Sequence, residues 1–206
     1  MSATTGPRHI TNPFATRHTR PGVLWPLTSS AERRDVPALI AAVDKAGGSA
    51  GIEGPHGTGK STLLVTIAAE LAAVDRLAAI IQVRCRRDGL SAVRAVLRAA
   101  AGTTVCIDGW EQLGRVVGSA TRFLARLRGC QLVVTSHRSV GLPLTVKTTS
   151  SLPLFTAIVA ALPHHGGLIH PADLAEAFTR HGGNLRESLC DLYDRFEQRA
   201  RQPFRF

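Results

Sequence analysis

No stretch of this 206-residue chain is apolar for long enough to cross a bilayer. The longest such run, near Leu154–Leu162, is about half of a span. The N-terminus lacks the contiguous apolar core of a secretory signal, which argues against export by that route. It also lacks acids before Glu32 and is rich in Thr and Arg, as a transit peptide is, but Pro7, Pro13, Pro21 and Pro26 argue against an amphipathic helix there. Cys85, Cys106, Cys130 and Cys190 contain no C-x-x-C pair and no ligand-like histidine beside them. That excludes a disulfide framework or a cysteine-based metal site, and the four read as buried reduced thiols of a cytoplasmic protein. There is no internal repeat and no low-complexity tract. A hydrophobic content of 44% suits one compact domain with a small appendage.

Lysine is scarce, so the net charge of +10 comes mostly from arginine. A polyanion, nucleic acid above all, is a candidate partner on that charge. Against it, no basic run exceeds Arg84-Cys85-Arg86-Arg87, aromatics do not interleave with it, and arginine-for-lysine usage also reflects genome composition.

The most specific feature is Gly54-Pro-His-Gly-Thr-Gly-Lys-Ser61, a complete G-x-x-x-x-G-K-[ST] phosphate-binding loop. Glycines at 54, 57 and 59 let the backbone curl so that its N–H groups converge on a phosphate. Gly54, Pro55, His56, Gly57, Thr58, Gly59, Lys60, Ser61 and Thr62 form the cradle. Lys60 supplies a point charge, and the Ser61 hydroxyl is a ligand for Mg²⁺. A short strand at Ala50–Glu53 precedes the loop. A helix with Leu63, Leu64, Ile67 and Leu71 on one face follows it, so a helix N-terminus meets the anion.

Around this loop strands alternate with helices. Asp35 caps a helix that carries Leu39, Ile40 and Val43 and stops at Gly47-Gly48. Residues 77–84 read as a strand buried on both faces, 91–101 as a helix, 104–108 as a third strand and 131–136 as a fourth. A short fifth strand falls within 142–148. Residues 111–127 read as one helix with Leu113, Val116, Val117, Ala120, Phe123, Leu124 and Leu127 at heptad-like spacing. This order predicts an α/β fold: a parallel sheet of the P-loop NTPase type with helices on both faces. After residue 150 the pattern is purely helical, with helices at 152–162, from Pro171 to Gly182-Gly183, and from an Asn184 cap through Leu185, Leu189, Leu192, Tyr193 and Phe196. The expected division is an N-terminal segment 1–28, partly extended, a nucleotide-binding core 29–149 and a small C-terminal helical lid 150–206.

Asp108 ends the apolar third strand, where a carboxylate at the sheet's C-terminal edge meets the Mg²⁺ opposite Ser61. The next acid, Glu111, reads either as a group that polarises water or as a first-turn acid favoured by the helix dipole. Trp110 reads as a packing residue. The fourth strand is expected to lie between the two motif strands and ends in Thr135, Ser136 and His137. Thr135 and His137 are candidates for contact with a γ-phosphate or the attacking water. Arg138 is either an arginine finger for a neighbouring subunit or simply solvated.

This set of motifs resembles the AAA+ and STAND branch of P-loop ATPases, in which an α/β core precedes a small helical lid. The resemblance spans Asn12 to about Arg201. Asp108-Gly-Trp-Glu111-Gln-Leu is similar to the acidic signature of the STAND group. His181-Gly-Gly-Asn184-Leu-Arg186 resembles the second sensor of initiators and clamp loaders, and by that resemblance Arg186 reaches the γ-phosphate from the lid. Asn12-Pro-Phe14 resembles the segment that precedes the core in secretion- and transposition-type relatives and sits near the adenine. The chain departs from the pattern in two ways. Gly109 stands where many hydrolysing relatives carry the catalytic glutamate, and no appended effector domain is evident.

The expectation is therefore an ATP-binding protein with Mg²⁺ as cofactor: a slow ATPase or nucleotide switch, with Glu111, His137 and Arg186 as its catalytic candidates. A nucleoside or small-molecule kinase is the second reading, with Arg84, Arg86 and Arg87 available to hold an acceptor. A nucleic-acid-binding or scaffold module with a structural nucleotide is the third. A protein partner is a further candidate.

Overall fold

The computed structural model describes residues 11–201, so Pro7 and the two ends of the chain lie outside the described residues. Five strands form one sheet in the order β2-β3-β4-β1-β5. They are β1 (Ser49–Glu53), β2 (Leu77–Gln82), β3 (Thr104–Asp108), β4 (Gln131–Ser136) and β5 (Leu144–Lys147). Every pairing is parallel, and β4 lies between β1 and β3, the two strands that lead into the glycine-rich loop at 54–61 and end in Asp108.

Alternation along the central strands gives the sheet two apolar faces. Val105, Ile107, Leu132 and Val134 pack against α4 (Gly89–Arg98) and α5 (Gly114–Arg128). Ala50, Ile52, Cys106 and Val133 face α2 (Val36–Lys45) and α3 (Lys60–Ala73). Asp35 caps α2 by accepting from Ala38 N–H at 2.9 Å. A short α1 (Thr16–Thr19) precedes this core. A third cluster is helical. Leu154, Phe155, Leu174, Leu192 and Phe196 join α6 (Leu152–Ala160), α7 (Pro171–Arg180) and α8 (Leu185–Arg201), with Phe14 packed edge-on to Phe196.

Three expectations need correction. Strand β2 is not buried on both faces: it pairs with β3 alone, and Ile80 is exposed, because on that face α3 covers the start of the strand at Leu77 and leaves Ile80 open. Residues 111–127 are not one helix. A 3₁₀ turn at Trp110–Leu113 comes first, and the chain redirects through Gly114 at φ +69° into α5. The heptad-like positions then split. Leu113, Val117 and Leu124 turn inward, while Val116, Ala120, Phe123 and Leu127 face solvent. Gly118, Thr121 and Ala125 form the buried face of α5, where small side chains admit the Trp110 ring beneath Gly118. Finally, only Cys106 and Cys130 are buried, whereas Cys85 and Cys190 are exposed. Burial pushes the Cys106 thiol up to about 12, so it is an inert apolar group.

Candidate functional site

The C-terminal ends of β1, β3 and β4 place the site. Beyond β1 the chain turns through Gly57 and Gly59 at φ +70° and +86° and enters α3. The N–H groups of Gly57, Thr58 and Gly59 find no acceptor among the described residues. The first turn of α3 adds the open N–H groups of a helix start. Together these donors make a concave, anion-seeking surface.

Lys60 is only 7% exposed, and its ammonium has no direct carboxylate partner among the described residues. It donates instead to the carbonyls of Gly54 and Pro55 at 2.7 and 2.6 Å and to His137 Nδ1 at 3.1 Å. Burial lowers its pKa, and the nearby charges of Glu111 and Asp108 oppose that shift. A buried cation resting on carbonyls is a group that an entering polyanion would satisfy better.

Ser61 and Asp108 meet. The Ser61 hydroxyl donates toward the carboxylate, 2.9 Å from Oδ2 and 3.1 Å from Oδ1. Thr135 also turns to Asp108, donating to Oδ1 at 2.5 Å while accepting from Gly109 N–H at 3.0 Å. Its hydroxyl therefore orients the carboxylate. Hard oxygen donors at the mouth of an anion cradle are what Mg²⁺ takes, so this pair fits that ion completed by phosphate and water.

His137 links the loop to Glu111. Its Nε2 lies 3.3 Å from Glu111 Oε1, and its ring stacks on His56 at 3.5 Å between centroids. Burial first, and then the Lys60 charge, lowers its pKa. Nδ1 also lies 3.2 Å from Gly54 C=O, so the ring is held between the loop carbonyl and Lys60 on one side and Glu111 on the other. Glu111 Oε2 is buried and has no hydrogen-bond partner among the described residues. That oxygen is an acceptor without a donor beside the Lys60–His137 network.

The helical bundle touches the loop directly. Leu185 N–H at the start of α8 donates to Gly57 C=O at 3.2 Å, and Asn184 Oδ1 accepts from Arg186 and Glu187 N–H at 3.1 and 3.3 Å. Arg186 thus sits on the turn that meets the phosphate loop, with its side chain exposed. Arg138 is also exposed. Trp110 is buried, with the Arg122 guanidinium 5.7 Å from its ring centre. Asn12 is buried and donates to Tyr193 C=O and Glu197 Oε1 at 3.1 and 3.0 Å. Together with Phe14 it ties the N-terminal segment into the bundle, and neither presents an open face to a base.

Thr148 was not legible beforehand. Its hydroxyl lies 2.8 Å from that of Thr58 and pins the loop to the chain just beyond β5. Nothing in its sequence neighbourhood marks it. Asn184 was legible as a helix cap, but its contact with Gly57 was not.

No protein-family model matches the chain, and no curated protein matches it in sequence. Among solved structures it is similar to C. elegans PCH-2, with a TM-score of 0.46 and 11% identity over 81% of this chain and 68% of that one.

Proposed function

We propose that the chain binds a nucleoside triphosphate with Mg²⁺ and acts as a slow ATPase or nucleotide switch of AAA+-like build. One juxtaposition carries this reading. An open backbone cradle, a buried lysine and a serine–aspartate pair come together at the C-terminal edge of a parallel sheet. The strand order supports it, since β4 separates the loop strand from the Asp108 strand.

In this reading the N–H groups from Gly57 to Thr62 hold the phosphates and Lys60 turns from the loop carbonyls onto them. Ser61 and Asp108 hold Mg²⁺, which would neutralise charge on the phosphate oxygens. Thr135 keeps the Asp108 carboxylate in place. Glu111 is the base candidate: Oε1 is held by His137, and Oε2 is left to accept a hydrogen bond from water. His137, stacked on His56, positions Glu111 and responds to Lys60 as that lysine moves. Arg186 is the bundle's candidate for reading the terminal phosphate.

Steady-state ATP turnover with and without Mg²⁺ tests the assignment. The expected result is slow, Mg²⁺-dependent release of phosphate, or nucleotide binding without turnover in the switch version. Absence of both binding and turnover would contradict it.

A further inference from the structure

The positive charge of the chain is concentrated. Residues 84–128 carry nine arginines against three carboxylates, whereas residues 150–206 carry six of each. All three of those carboxylates are engaged locally. Asp88 accepts from the N–H groups of Arg84 and Cys85, Asp108 holds Ser61 and Thr135, and Glu111 meets His137. Helices α4 and α5 contain six arginines and no acid.

These two helices pack side by side on one face of the sheet. Their outer sides are apolar in a regular way. Val116, Phe123 and Leu127 are 82, 60 and 67% exposed. With Ala120 they recur at intervals of four, three and four residues, one stripe about 16 Å long. Leu90 and Leu97 continue the apolar surface on α4, at 66 and 47% exposure. Arg94 lies between those leucines, and Arg115 and Arg126 border the α5 stripe. Large exposed apolar side chains gathered in this way mark a contact surface.

We infer that this face docks on an anionic lipid surface, with the apolar stripe entering the headgroup–acyl boundary and the arginines meeting the headgroups. Charge complementarity selects that occupant. A second copy placed face to face would set arginine against arginine. Nucleic acid would use the arginines, but the Phe and Leu stripe offers it no hydrogen bonds. A pair of exposed apolar ridges edged by cations suits the membrane interface. No described helix is long and apolar enough to cross a membrane, so the contact is peripheral.

The test is co-sedimentation of the intact chain with phosphatidylcholine vesicles, with and without phosphatidylglycerol. The expected result is partition onto the phosphatidylglycerol vesicles alone, weakened by salt. A Phe123→Ser/Leu127→Ser variant and an Arg94→Glu/Arg126→Glu variant should each lose at least about tenfold in partition. A Phe123→Trp variant, which keeps the stripe apolar, should show fluorescence quenching by brominated lipid in the same vesicles. Failure to bind anionic vesicles, unchanged partition of the Phe123→Ser/Leu127→Ser variant, or an unquenched Trp at 123 would overturn the inference. Preference for short duplex DNA or for an acidic amphipathic peptide over the vesicles would overturn it as well.

Discussion

Gly57 and Asn184 occupy adjoining space. A Cβ on Gly57 would collide with Asn184 Oδ1, and the glycine itself sits at φ +70°. The glycine-rich loop and the start of α8 are therefore fitted to each other, so a change in one is felt by the other.

Gly57→Ala should accordingly cost more than Gly59→Ala. Gly59, at φ +86°, has open space where its Cβ would go, so alanine there bears only backbone strain of about 1 kcal/mol. At position 57 the same strain is joined by the clash, and a loss of about 2–3 kcal/mol is expected. Urea unfolding of the two variants checks this. Equal losses would mean that α8 gives way freely.

Asp108 and Glu111 should separate binding from turnover. Asp108→Asn removes the proposed metal ligand and should leave nucleotide binding that no longer responds to Mg²⁺. Glu111→Gln should bind Mg²⁺–ATP as the parent does and turn over at least about a hundredfold more slowly. Parental turnover by Glu111→Gln would reduce Glu111 to a helix-start acid held by His137.

The fold was readable because its signals are local and redundant. Strands β3 and β4 are built on short apolar runs that end in polar residues, and Asp35 and Asn184 mark helix starts by capping chemistry. The loop and Asp108 were readable because their residue types and spacing are specific. The misread parts depended on position in the assembled sheet. The composition of β2 does not reveal that it lies at an edge. The spacing of α5 does not tell which of its two apolar stripes faces inward, because Gly118, Thr121 and Ala125 decide that by being small. The roles of Thr135 and Thr148 depend on contacts between residues distant in sequence.

The bundle has an acid-sensitive anchor in Asp173. This nearly buried carboxylate is held by Arg199 at 2.6 and 2.8 Å and by Arg195 at 3.1 Å. The Arg199 hydrogen bonds hold its pKa far below the usual carboxylate range, against the effect of burial. Because the folded value lies below the unfolded one, the contribution is complete above about pH 5 and fades as pH falls from there toward the folded value. Asp173→Asn should lose about 3 kcal/mol at neutral pH, and its gap from the parent should shrink at pH 3. A gap that stays constant between the two pH values would show that charge is not what Asp173 supplies.

Arg186 should discriminate between nucleotides. If its guanidinium reaches a terminal phosphate, Arg186→Ala weakens ATP by about tenfold and leaves ADP nearly unchanged. Competition between the two nucleotides measures this, and an equal loss for both would remove Arg186 from the terminal phosphate.

Lys60 is the most direct test of the nucleotide assignment. Its ammonium is buried against loop carbonyls, and its proposed role is to carry charge to the phosphates. Calorimetric titration of Mg²⁺–ATP into the parent and into Lys60→Ala decides the matter, with circular dichroism confirming that both are folded. The account predicts saturable binding by the parent and an affinity about ten- to a hundredfold weaker for Lys60→Ala. Equal affinity in two folded proteins would contradict it.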